Sequence, residues 1–187
     1  MSMPFRAFIS ADFGHFPRVE AFSEALRASE GQLKPVDLSL IHTTLKFLGD
    51  TDEALVPEIV RVMERSVQGI PPVAVALRRT GAFPSARRIS VVWVGLEGAE
   101  PLGRIASFLD REMGTLGFAA ENRRWEPHVT VARVKGPRNL DRVRAAIDAF
   151  ADEAFGEAVV DRVRLKRSVL RPEGPVYTTV AEVPLSP

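Results

Sequence analysis

The chain predicts a mixed helix-and-strand protein of two similar lobes around a shared cleft. Three observations carry this. The expected elements run β-α-β-α-β and then β-α-β-α-β-β, so each half repeats one order. Each half holds a His-x-Thr element in the same place, His42-Thr43-Thr44 and His128-Val129-Thr130, preceded by a strand and a helix. No low-complexity linker parts the halves, so residues 1–187 are expected as one two-lobed unit with a seam near 81–87.

Residues 5–12 alternate as a strand. Residues 17–29 read as a helix, with Val19, Phe22 and Leu26 at helical spacing. The first His strand is expected over 38–48, stopped by Gly49-Asp50. Pro57 suits the first position of a helix reaching Val67, with Ile59, Val60 and Met63 on its apolar face. Residues 73–77 form a strand, 83–85 a turn, and 88–96 a buried strand. A helix over 101–116 turns Leu102, Ile105, Leu109 and Met113 inward and stops at Gly117. The second His strand covers 125–134. Asn139 caps a helix bearing Leu140, Val143, Ile147 and Phe150. Strands over 158–167 and 176–183 close the chain around the turn at 172–175.

Composition excludes several classes. At 187 residues, 45% hydrophobic and 26% charged, the chain can bury a core unaided. It has no cysteine, which removes disulfides, thiolate metal sites and a cysteine nucleophile. No apolar run approaches a membrane span and the first residues hold no long apolar segment, so a cytoplasmic protein with no membrane partner is expected. No protein partner is implied, and a monomer is the expected state. A net charge of +1 does not suit wrapping by long nucleic acid. Positive charge is nonetheless 21 Arg against 4 Lys, with doublets at 78–79, 87–88 and 123–124 and a run over 162–167. Arg favours bidentate phosphate contacts, and equally decorates solvated strand faces; both readings stand for each cluster.

The histidines carry the chemistry. With eight Thr in the chain, two of three His followed by Thr at the second position arises by chance about half a per cent of the time. Strand alternation puts His42, Thr44 and Lys46 on one face, with Ile41, Leu45 and Phe47 behind them in the core. It likewise groups His128, Thr130 and Ala132, with Ala132 leaving room for a ligand. Both His therefore face a cleft rather than the core. His15, between Gly14 and Phe16, has no such setting and is given no function. A neutral and a protonated imidazole together suit in-line displacement at phosphorus, one taking a proton as the other gives one. The Thr hydroxyls can hold non-bridging oxygens. Two His with no Cys and only Asp50, Asp52 and Glu126 nearby make a poor metal set, so neither metal nor other cofactor is expected. Glu126 is the carboxylate whose parity matches His128. Parity cannot say which His is the acid.

In these residues the chain resembles the two-histidine phosphoesterases, and among them the RNA 2′,3′-cyclic phosphodiesterases, also called 2′-5′ RNA ligases. The likeness spans Phe5-Arg6-Ala7-Phe8-Ile9-Ser10, His42-Thr43-Thr44-Leu45-Lys46-Phe47-Leu48-Gly49, Gly81-Ala82-Phe83-Pro84 with Val91-Val92-Trp93-Val94-Gly95, Pro127-His128-Val129-Thr130-Val131-Ala132-Arg133, and the tail Arg167-Ser168-Val169-Leu170 with Gly174-Pro175-Val176-Tyr177. It implies an α+β bilobal duplicated fold, two antiparallel sheets flanking a central cleft with helices outside. It implies metal-independent hydrolysis of a 2′,3′-cyclic phosphate at an RNA 3′ end to a 2′-phosphate. It assigns His42 as proton donor, His128 as proton acceptor, and Thr44 and Thr130 as phosphate ligands. Arg133 matches the second motif, yet alternation puts it on the face opposite His128. The segment 37–41 and the Ile89-Ser90 pair depart from the family pattern. Alternatives are a small cyclic nucleotide or a 2′-5′ linkage as substrate, and a non-catalytic RNA- or nucleotide-binding module. No Gly-x-x-x-x-Gly-Lys loop is present, which speaks against ATP-driven ligation.

Overall fold

The computed structural model describes residues 4–187. The chain runs β1 (Phe5–Asp12), α1 (Pro17–Ala28), β2 (Leu33–Pro35), β3 (His42–Thr51), α2 (Val56–Val67), β4 (Val73–Pro84) and β5 (Ile89–Glu97). It continues through α3 (Glu100–Gly114), β6 (His128–Val134), α4 (Leu140–Ala149), β7 (Ala154–Val160), β8 (Arg162–Arg171) and β9 (Gly174–Pro184). The strands form a four-stranded sheet, ordered β3-β1-β8-β9, and a five-stranded sheet, ordered β2-β6-β5-β4-β7. All pairings within them are antiparallel. The expected α+β fold of two antiparallel sheets is present.

Prolines open α1, α2 and α3, where the missing N–H is no loss. Val19, Phe22 and Leu26 of α1, Ile59, Met63 and Val67 of α2, and Leu102, Ile105, Leu109 and Met113 of α3 are buried in one contiguous core. The helices are exchanged between the sheets. Helix α1 leaves β1 of the smaller sheet but packs on α4 and β7 of the larger. Helix α3 leaves β5 of the larger sheet but packs on α2 and β3 of the smaller. This reciprocal crossing ties the two sheets together and leaves a cleft between them.

Several expectations change. Residues 158–167 are not one strand: β7 and β8 part at Asp161 and belong to different sheets. Their apolar pattern runs through the break, so periodicity cannot mark where a chain switches sheets. Residues 81–87 lie at the end of β4 and the turn into β5, inside the larger sheet. The chain passes between sheets elsewhere, through α1, after β2, through α2 and at Asp161. β4 extends to Pro84, pairing Phe83 with Val91, so the turn begins at Ser85. Residues 38–40 form a 3-10 turn instead of strand, because Asp37 accepts hydrogen bonds from Ser39 N and Oγ at its start. Asn139 precedes α4 in the left-handed region, and its side-chain amide donates to Glu30 O instead of capping the helix. The strand β2, three residues long, is too short to show a periodic pattern in the sequence.

Candidate active site

Both His strands line one cleft of about 1050 Å³, together with Thr44, Thr130, Phe8, Phe83, Arg133 and Tyr177 among others. His42 and His128 are anchored identically. Each Nδ1 lies 2.8 Å from the carbonyl oxygen two residues earlier, that of Leu40 and that of Glu126. A carbonyl can only accept, so Nδ1 carries the hydrogen and Nε2 is the working atom of each ring. The 3-10 turn at 38–40 places the Leu40 carbonyl. For His128 the strand begins only at the His itself, and Trp125 to Pro127 lie outside any helix or strand.

Aromatic rings wall both imidazoles. Tyr177 meets His42 edge-on at 5.4 Å between centroids, and Phe8 lies tilted beside it at 5.2 Å. Phe83 meets His128 edge-on at 4.9 Å. Burial pushes both imidazoles below their ordinary value of 6.5. For His42 the bond to Leu40 and the Asp12 carboxylate act upward, while Lys166 and Arg133 add to the fall. For His128 the bond to Glu126 and that residue's carboxylate act upward, and Arg133 acts downward. Burial raises the Tyr177 phenol, against the pull of Arg133 and Arg6.

A matched pair of β-bulges corrects the expected faces. In β3 the register with β1 slips at Leu45, and in β6 the register with β5 slips at Val131. Each is the third residue after its His. An extra residue inverts the alternation beyond it. Lys46 therefore turns inward, 1% exposed, while Phe47 emerges into the cleft at 52% instead of joining the core. Ala132 likewise turns inward at 1% and is not part of the lining of the His cleft. The same inversion brings Arg133 out on the His128 face, where alternation had denied it.

Lys46 takes up a structural task. Its ammonium donates to Asp110 Oδ1 at 2.7 Å and Ala119 O at 2.6 Å, with Glu121 at 3.7 Å. Asp110 also accepts from Glu121 N. Trp125 Nε1 then donates to Thr44 O at 2.8 Å. The segment leading to His128 is thus held on the strand that carries His42 and Thr44.

Of the arginine clusters, Arg123 and Arg124 line the cleft. Arg78 and Arg79 lie near Glu97, Arg162 and Arg164 bond Glu182, and Arg167 bonds Glu53. Arg87 and Arg88 sit in the turn before β5, outside the lining. His15 is exposed beside Glu20, away from the cleft. Among the described residues no group of three or more His, Cys, Asp or Glu is assembled. No helix there is long and apolar enough to cross a membrane. The sequence does not mark Tyr177 and Phe83 as site residues, because single aromatics carry no local signal of a site.

Gly81 guards His128 at one remove. A Cβ there would stand 2.2 Å from the Trp93 ring, whose buried Nε1 has no hydrogen-bond partner to hold it. Trp93 rests on Phe83 at 5.4 Å, and Phe83 on His128. Gly81→Ala should destabilise the fold by about 1–3 kcal/mol through overpacking and displace the His128 ring. Urea denaturation and the His128 proton resonances check this; unchanged stability and resonances would show that the ring yields freely.

Comparisons with known proteins agree with this architecture. The family model for the 2′-5′ RNA ligase superfamily matches residues 16–169. A Methanothermobacter thermautotrophicus protein named RNA 2′,3′-cyclic phosphodiesterase is 38% identical over 178 residues, 94% of this chain and 96% of that one. One of the same name from Aeropyrum pernix is 38% identical over 152 residues, 81% and 85% of the two chains. A Thermus thermophilus crystal structure superposes with a TM-score of 0.72 at 27% identity, covering 96% and 97%. Escherichia coli LigT complexed with 3′-AMP gives 0.74 at 22%, covering 98% and 99%, a likeness of fold. With the matched model spanning most of the chain and its two motifs facing one cleft, this protein belongs to the 2′-5′ RNA ligase superfamily.

Proposed function

We propose that this cleft hydrolyses 2′,3′-cyclic phosphates at RNA 3′ ends to 2′-phosphates by paired-histidine acid–base catalysis. One observation carries the reading: two imidazoles are anchored alike through Nδ1, leaving both Nε2 atoms for one cleft. Relatives of that name at 38% identity support it. In the proposed step His128 Nε2 takes a proton from water as the water oxygen bonds phosphorus. The bond to the 3′-oxygen breaks, and protonated His42 gives that oxygen its proton. The donor and acceptor roles follow the order of the family motifs. Thr44 and Thr130 hydroxyls donate to the non-bridging oxygens, and Arg133 balances the charge gathering there. The test is an oligonucleotide ending in a 2′,3′-cyclic phosphate, offered with EDTA present. A 2′-phosphate product is expected; a 3′-phosphate, or loss of activity with EDTA, defeats the reading.

The pH dependence follows from burial. The base works only when neutral, above its pKa, and the acid only when protonated, below its own. Both free imidazoles sit under 6.5, so kcat/KM should peak on the acid side of that value and fall as pH rises. A bound phosphate favours the imidazolium, so the kcat profile should lie at higher pH than that of kcat/KM. A kcat/KM maximum above about pH 7.5 would contradict the acid–base pair.

A further inference from the structure

We infer that the β2–β6 edge of the cleft is a separate subsite for the RNA backbone preceding the reacting end, carried by Lys34 and Lys135. This rests on the functional reading above and extends it from a terminal nucleotide to a polynucleotide. The observation is an unbalanced pair. Lys34 on β2 stands directly opposite Arg133 on β6. Lys135 follows two residues later, its N–H donating to Gln32 O at 2.7 Å, so the ladder continues and Lys135 shares their face. All three line the cleft and are exposed.

Like charges directly opposite on a sheet destabilise it. Several strand cations of this chain are matched with carboxylates: Arg164 with Glu182 and Asp12, Arg162 with Glu182, Lys166 with Asp12. Among the described residues, none pairs with Lys34, Arg133 or Lys135. The nearest acid in sequence, Asp37, already accepts from Ser39 N and Oγ. Asp110 and Glu121 are engaged by Lys46. Three unmatched cations on one face of a strand pair are the complement of a polyanion.

Chain chemistry gives the direction. A cyclic phosphate ends its strand, so no phosphate follows it. Additional anions can come only from the nucleotides before it. Arg133 acts on both His and belongs to the reacting end. Lys135, further along the strand, is left for an earlier phosphate, with Lys34 opposite. Single-stranded RNA tracks such a groove by its backbone, without base reading.

The experiment compares a mononucleotide 2′,3′-cyclic phosphate with a single-stranded oligonucleotide bearing the same end, on wild type and the double variant Lys34→Gln/Lys135→Gln. Binding of a 2′-phosphate-ended oligonucleotide is followed in parallel by fluorescence anisotropy. Loss of two phosphate contacts should weaken oligonucleotide KM and Kd about tenfold at about 0.15 M salt and reduce the log–log salt slope by about 1.4. The mononucleotide kcat/KM should stay within about twofold. Equal losses on both substrates, or no loss on either, overturn the subsite. So does an oligonucleotide-only loss that appears instead in Arg123→Gln/Arg124→Gln. If wild type opens neither cyclic phosphate, the functional reading fails, while the anisotropy still reads the subsite on its own.

Discussion

Alanine at either His42 or His128 should lower turnover of a 2′,3′-cyclic phosphate by about 10²- to 10⁴-fold, with the fold intact. Both rings are fixed through Nδ1 and present Nε2 to the same cleft, so each supplies a proton transfer that water there performs poorly. Because the two act in one step, the double variant should fall little further than the worse single one. The assigned roles can be separated by the leaving atom. A substrate with sulfur in place of the 3′-oxygen departs as a thiolate and needs no proton. His42→Ala should recover most of its rate on that substrate, and His128→Ala should not. Circular dichroism and thermal unfolding confirm that each variant is folded. Full activity in either alanine variant removes the two-histidine mechanism, and the opposite rescue pattern exchanges the roles.

The largest effect on stability is expected at the contact beneath the site. Asp110→Ala should destabilise the protein by about 2–4 kcal/mol, and more than Lys46→Met does. Lys46 is 1% exposed, whereas the Asp110 side chain retains 30% of its exposure. Removing Asp110 leaves a buried ammonium with its best counterion gone. Removing the ammonium leaves a carboxylate that water can reach. Combining both changes should restore part of the loss, because no unpaired charge then remains. Burial works against ionisation of Asp110, but hydrogen bonds from Lys46 and Glu121 N–H, with the ammonium charge, outweigh it and hold its pKa below 3.8. The contribution is therefore full above the unfolded value of about 3.8 and is lost as pH falls through the folded one. Urea denaturation of the four proteins at neutral and acid pH measures this. Lys46→Met proving the more harmful change would mean that packing of its stem, and not the charge, dominates.

How far the site could be read in advance depended on distance along the strand. From His42 to Leu45, and from His128 to Val131, alternation placed every face correctly. Beyond the bulges it failed for Lys46, Phe47, Ala132 and Arg133. A bulge is decided by register against a neighbouring strand, β1 in one case and β5 in the other, and leaves no mark in its own strand's pattern. The same limit hid the break at Asp161, where one apolar run serves two sheets. Helix positions were legible because apolar residues at helical spacing, with prolines at the starts of α1, α2 and α3, act within a few turns.

What the chain alone determines is local: where most helices and strands lie, and that two imidazole–hydroxyl pairs recur with their backs to the core. Propensity, capping and alternation act between neighbours, so they can be read without the fold. The tertiary structure alone decides that both histidines share a cleft, that Arg133 turns toward it, and that Lys46 is buried against Asp110. It also decides that Lys34 meets Arg133. Each of these is a pairing between residues far apart in the chain, and only packing brings such residues together.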